Sequence, residues 1–268
     1  MTADRLWHWG GRALAGAVLA FLMLPLAVVM LFSVGERSYF SFPPSGYSLR
    51  WYEAAWASGL FIGPALRSLA LAVVATAAAA VLAVPAALAM RRMAPGRLRA
   101  AVEFAMLSPL VVPALIIGIA LLYAFNRARM LDSFGALVAA HTLIVFPFMF
   151  RAVLTSALGL RQALLDASAV LGASPACTLR RVVLPGLVPG LVAGAIFAFI
   201  VSLDQFTVSL FVTQSEQIVL PVAIYKYLFD VNDPVAAAVS TVLVLFGLVA
   251  ALVIDRLGWL RHLAGGSA

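Results

Sequence analysis

Polar and apolar positions along this chain are sorted on the scale of whole membrane thicknesses rather than of helix turns. Six stretches are apolar almost throughout, at about residues 13–34, 65–90, 101–124, 134–158, 186–212 and 235–254. A bilayer core requires roughly 20 apolar residues per helix, and each stretch reaches that length. The intervals between them leave no room for a separate soluble domain. The pattern therefore predicts an all-α membrane protein of about six transmembrane helices forming one domain, residues 1–268. Residues 160–184 break the rhythm with a compact, semi-polar insert before the fifth span.

Composition agrees with this reading. The chain is 64% hydrophobic and 11% charged, with a mean hydropathy of +1.07, against roughly 45–50% and 25% in soluble domains. The first span is too long for a signal-peptide core and no small-x-small cleavage pattern follows it, so it is expected to stay attached. The single Cys177 excludes an internal disulfide.

Charge sets the orientation. With the N-terminus cytosolic, 12 basic and 4 acidic residues lie inside and 6 of each outside, leaving Asp204 in the membrane. That asymmetry follows the positive-inside rule. Both termini, the loop between the second and third spans, and the insert are then cytosolic. The pI near 10.3 reflects this topology and not a nucleic-acid partner, since no soluble basic face exists.

Within the insert, Asp166, Ala167 and Ser168 fall on a short helix that Gly172 can end, because glycine adopts the left-handed cap without steric penalty. A second helix follows at once, with Ser174 as N-cap and Pro175 at its first position. Leu179, Val182 and Val183 share one face at helical spacing, and Pro185 is expected to stop the helix and open the next. Two readings fit this helix-turn-helix: a docking device for a cytosolic partner and an amphipathic interfacial loop.

The spacing of "DASAVLG", nine further residues and then Val182, Leu184 and Pro185 resembles the EAA loop of ABC-importer permeases. Asp166 stands in the glutamate position and Ser168 in that of the second alanine. "SLRWY", "SPLVVPALIIGIALL", "AHTLIVFPF", "SLDQFTVSLFVT" and "LPVAIY" look most like the spermidine/putrescine-type permeases. The resemblance implies a type I importer fold in a bacterial inner membrane. It also implies a second permease subunit, favouring a chain different from this one, two copies of a cytosolic ABC ATPase gripping the insert, and an extracytoplasmic solute-binding protein. The docking residues it implies are Asp166, Ala167, Ser168, Gly172, Ser174, Pro175, Leu184 and Pro185. ATP and magnesium then belong to the partner. Consistent with that division, a P-loop needs Gly-Lys-Ser/Thr and the sole lysine is Lys226, so no cofactor is expected on this chain.

Asp204 is the one acid deep inside a span, Glu103 lying at the cytosolic edge of the third. A carboxylate at a helix centre costs about 2.5–3.5 kcal/mol on insertion scales, so it either lines a pathway or pairs with a partner. Ser202, Gln205 and Phe206 complete the candidate route. The polyamine-type relatives carry an acidic pair here, and Gln205 halves that charge. Phe197, Phe199 and Phe206 serve as a gate or as packing. Gly186, Gly190 and Gly194 recur every four residues, spacing that lets helix backbones approach closely in lipid, against another span or a partner permease. His141 has no second ligand at metal spacing and reads as a packing or hydrogen-bonding residue. Arg67 can snorkel to the interface. Pro109, Pro113, Pro147 and Pro189 are kinks or hinges. The Arg50–Trp56 region suits an interfacial belt or a platform for a binding protein.

Three function classes compete: a non-catalytic ABC-importer permease, an ion-coupled secondary transporter using Asp204, and an intramembrane enzyme. The second class often shows internal repeats, and none is evident between the halves. The third lacks G-x-S-x-G and H-E-x-x-H motifs.

Overall fold

The computed structural model describes residues 2–231 and 233–249, the first nine of them by backbone alone. Among these residues the chain is helical, with one isolated bridge between Gly35 and Tyr47. The helices are α1 (Thr2–Ser33), α2 (Arg50–Ser58), α3 (Ile62–Arg92), α4 (Arg97–Leu107), α5 (Ala114–Arg127), α6 (Phe134–Gly159), α7 (Gln162–Val170), α8 (Pro175–Thr178), α9 (Leu184–Leu203), α10 (Thr207–Val212) and α11 (Leu220–Asp230), followed by α12 (Val235–Val249). Four are long and apolar enough to cross a membrane, or five if α4 and α5 make one bent span. α12 is shorter, and the end of the expected sixth span, residues 250–254, lies outside the described residues.

Two compact units emerge, one of residues up to Gly63 with those from Ala223 onward, the other Pro64–Val222. In the first, α2 folds against the chain that leads into it. Trp51 is buried at 8% exposure, its indole Nε1 donating to Gly35 O at 2.6 Å, and Ser33 Oγ lies 2.7 Å from Tyr52 OH. The Arg50 guanidinium sits 4.3 Å over the Trp51 ring. Trp56 remains exposed. The expected belt helix is thus pinned by one tryptophan while the other stays outside.

The second unit carries two apolar clusters. One joins Ala79, Ala83, Ala87 and Met90 of α3 to Val145, Met149, Phe150, Val153, Leu154 and Ala157 of α6, with Val183, Leu187 and Ala198. The other joins Leu71, Ile117, Ala136, Leu137, Ala140 and Ile144 to Val208, Val212, Val219 and Val222. The alanines at 72, 75, 79, 83 and 87 are wholly buried. Such a small-residue face brings backbones together where lipid supplies no hydrophobic drive.

Proline acts differently at different places. The third span, expected over 101–124 with a kink or hinge at Pro109 and Pro113, is two helices meeting at 91°. A 3₁₀ turn at Ser108–Leu110 and an extended Pro113 (ψ 132°) separate them. Two prolines four residues apart each remove an amide, and Pro113 also pushes the preceding residue out of the helical region. Pro147 and Pro189 stay inside continuous helices.

The fifth span also differs from expectation. Instead of running over 186–212, a continuous helix occupies Pro175–Leu203 and ends at Asp204. Pro185 opens α9, as expected, but does not stop the helix before it. Residues Leu179–Val183 widen into a π turn in which the Leu184 amide bonds Leu179 O. That turn disposes of the carbonyl a proline ring would otherwise strike. It also rotates the face predicted from α periodicity, so Val183 is buried while Leu179 is 39% exposed.

Candidate functional site

The insert is a helix-turn-helix knitted by its own small polar residues. Ser168, buried, donates to Leu165 O at 2.7 Å and lies 3.0 Å from Thr178 Oγ1, tying α7 to α8. Gly172 has φ +75°, the left-handed cap conformation that ends a helix. Ser174 caps α8, its Oγ accepting from the Cys177 amide at 3.3 Å with Pro175 next in line. Asp166 accepts from Gln162 Nε2 at 3.0 Å, and Arg91 Nη2 donates to Gln162 Oε1 and to Leu160 O. Asp166, Ala167, Ser174, Pro175 and Pro185 are exposed, and Leu184 is half-buried. At the tip, Val170 and Leu171 are 88% and 85% exposed.

Beyond the other end of α9, the polar residues divide. Asp204 occupies the position where the helix stops (φ −92°, ψ 1°), not a helix interior as expected. Its carboxylate is exposed and takes no hydrogen-bond partner among the described residues. A carboxylate at a helix C-terminus adds to the negative end of the macrodipole, so the place favours a cation. The Gln205 side-chain Nε2 is buried without a partner among the described residues. Phe206 packs on the second apolar cluster, whereas Phe197 is 60% exposed.

Ser202 turns away from Asp204 and into the protein. His141 Nδ1 lies 2.8 Å from Ser202 Oγ and Nε2 2.8 Å from Ser209 Oγ, with all three residues buried. Ser209 Oγ also donates to Gln205 O at 2.5 Å. A hydroxyl has one proton, so Ser209 must accept from His141 Nε2–H. Nδ1 then accepts from Ser202. The neutral imidazole thus bridges α9 and α10 across the break, a role that the sequence reading left between packing and hydrogen bonding.

Gly190 and Gly194 face α6 of the same chain. A Cβ on Gly190 would strike Ala152 O and Ser156, and one on Gly194 would meet Met149 Sδ at 2.8 Å. A Cβ on Gly186 would meet the Leu160 side chain. Arg67 donates from Nη1 to Ile218 O at 2.7 Å, a bond the snorkelling expectation did not include. Among the described residues no group of three or more His, Cys, Asp or Glu could hold a metal ion.

The family model for the binding-protein-dependent transport system inner membrane component matches residues 81–258. The chain belongs to that family. This inner membrane component is 28% identical over 243 residues to the spermidine/putrescine transport system permease protein PotC of Escherichia coli (strain K12), covering 89% of this chain and 91% of PotC. It is 37% identical over 211 residues to the molybdenum transport system permease protein ModB of Mycobacterium tuberculosis (strain ATCC 25618 / H37Rv), covering 72% and 77%. Its fold matches a bacterial ABC transporter involved in the import of the acidic polysaccharide alginate, with TM-score 0.73 and 15% identity over 96% of this chain and 98% of that one. The inner membrane component is therefore a multi-pass ABC-importer permease with a type I importer fold.

Proposed function

We propose that this permease couples ATP hydrolysis in a separate cytosolic subunit to alternating access for a small solute, a polyamine or related organic cation. Two copies of the ATPase bind ATP and magnesium, one on this insert and one on a second permease subunit of different sequence. A solute-binding protein delivers cargo on the opposite side. The excess of basic residues near the insert and both termini favours their cytosolic placement.

One observation carries the docking assignment: the adjacent Val170 and Leu171 side chains project from a rigid turn with more than four-fifths of their surface open. Apolar anchors of this kind fit a groove on a partner. Asp166, Ala167, Ser174 and Pro175 surround the tip, while Ser168, Gly172, Leu184 and Pro185 set its shape. Cargo is a separate matter. The relatives' names refer to spermidine/putrescine, molybdenum and alginate, so fold alone does not select a solute. The unpartnered carboxylate of Asp204 at a helix C-terminus supports a cationic one, with Gln205 and Phe206 next to it in the chain, while Ser202 is committed to His141.

Co-purification with the ATPase tests the first assignment. Gly172→Trp and Asp166→Arg are expected to insert normally and to lose the ATPase, and undiminished co-purification of both would overturn the docking role. Radiolabelled spermidine and putrescine uptake by proteoliposomes holding the whole assembly tests the second. Asp204→Asn should slow it by about tenfold, the effect of ~1.4 kcal/mol, and wild-type kinetics in the variant would remove Asp204 from the route.

A further inference from the structure

Past the break at Asp204, the chain makes the short helix α10 and then the polar run Gln214–Gln217 before α11. Runs of exposed amides normally face water. Here they face one carboxylate. Asp132, in the turn between α5 and α6, receives the Gln214 amide at 3.0 Å and the Gln217 amide at 3.1 Å on Oδ1. Its Oδ2 receives the Ser215 amide at 3.1 Å, the Glu216 amide at 2.9 Å and the Ser215 hydroxyl at 3.5 Å. Asp132 itself sits at φ 56°, a conformation an aspartate tolerates better than most residues, and its amide donates to Val212 O at 3.2 Å.

Successive amides converging on one point form an anion-binding concavity. In this chain the anion is covalently attached, more than 80 residues away in sequence. Partial desolvation pushes the Asp132 carboxyl up, but the four amides outweigh it and hold the group down at about 2. From the α3 side, Arg67 binds Ile218 O and Ser68 Oγ accepts the Leu220 amide at 2.8 Å. Backbone donors of the segment thus meet a carboxylate and a hydroxyl, and a backbone acceptor meets a guanidinium. His141 holds its other end through Ser202 and Ser209.

We infer that residues 214–217 form a carboxylate-binding nest occupied by Asp132, and that Asp132 is the positioning residue fixing the segment that begins at Asp204. The nest accepts small carboxylates as a class, and Asp132 fills it because it is tethered. The inference stands on the hydrogen-bond geometry and is independent of which cargo passes Asp204.

Hydrogen–deuterium exchange on the full-length permease in detergent tests it. Asp132→Ala should accelerate exchange in the 213–220 peptide by tenfold or more, since bonds to a charged acceptor are among the stronger protein hydrogen bonds. Saturating formate should restore protection in Asp132→Ala and leave the wild type unchanged. Asp132→Leu, whose side chain fills the nest, should exchange fast and ignore formate. If Asp132→Ala does not fold, Asp132→Asn serves in its place, with a smaller acceleration expected. Wild-type exchange in the alanine or asparagine variant would overturn the inference, as would acceleration in Asp132→Ala that neither formate nor acetate reverses. ATPase co-purification measured on the same samples reports separately on the insert.

Discussion

At one end of the Pro175–Leu203 helix lies a tip whose Val170 and Leu171 side chains touch little of their own chain. At the other end lies a segment whose backbone is gripped by Asp132, Arg67 and Ser68 from two different parts of the fold. Both regions are polar interruptions of an apolar chain, yet one presents side chains outward and the other commits its backbone inward. Exposed apolar surface next to a preset turn is what a partner uses. A segment with its amides and carbonyls satisfied has little reason to rearrange. The contrast separates the surface proposed to meet a partner from the segment where the chain holds its own shape.

The sharpest way to break that contrast is at the tip. A Cβ at Gly172 would meet no atom of its own chain within 4 Å, but Gly172→Trp must hold φ near +75°, which costs roughly 1–2 kcal/mol for a residue with a Cβ, and it adds bulk to the proposed docking surface. ATPase affinity should fall by roughly ten- to a hundredfold, the lost contact of one apolar anchor worth ~1.5–3 kcal/mol, since the strain is the same with and without the ATPase. Calorimetric binding of the purified ATPase would measure it. A smaller effect is expected at the other region. His141→Leu strips Ser202 of its partner in a buried site, which should cost about 1–3 kcal/mol, seen as a lower unfolding midpoint in detergent with ATPase binding unaltered. An unmoved midpoint would mean that the bridge across the break holds nothing.

The smallest effect concerns acid. The Asp132 carboxyl is depressed from its ordinary 3.8 to about 2, so its contribution is complete above 3.8 and is lost as pH falls through 2. Exchange protection of residues 214–217, corrected for intrinsic rates, should therefore survive to about pH 4 and fade below it. In Asp132→Asn the same comparison should be flat.

Much of the fold was legible because bilayer spans are counted in whole runs of apolar residues, and the Ser174 cap and the Gly172 turn were legible because each depends on one residue's own chemistry. The π turn at Leu179–Val183 was not, since a single shifted hydrogen bond leaves no periodic mark, and it lets Pro185 open α9 without stopping the helix before it. The break between α4 and α5 needed the combined action of Pro109 and Pro113, which single-proline reasoning does not supply. The grip of Asp132 was hidden for a different reason: its partners are backbone amides, which every residue except proline carries. Likewise Arg67 was assigned to water at the interface because a carbonyl acceptor has no side-chain signature. The alanine face of α3 was hidden because alanine is common on every side of that span, so its buried stripe leaves no periodic mark.

The uninterrupted helix from Pro175 to Leu203 has a mechanical consequence. At 1.5 Å per residue, its 29 residues make a rod of roughly 40 Å, with the proposed docking knuckle at its base and Asp204 at its summit. Tilting such a rod from below swings its far end through an arc, and the widened turn near the base is the place where the rod can flex without snapping its ladder of bonds.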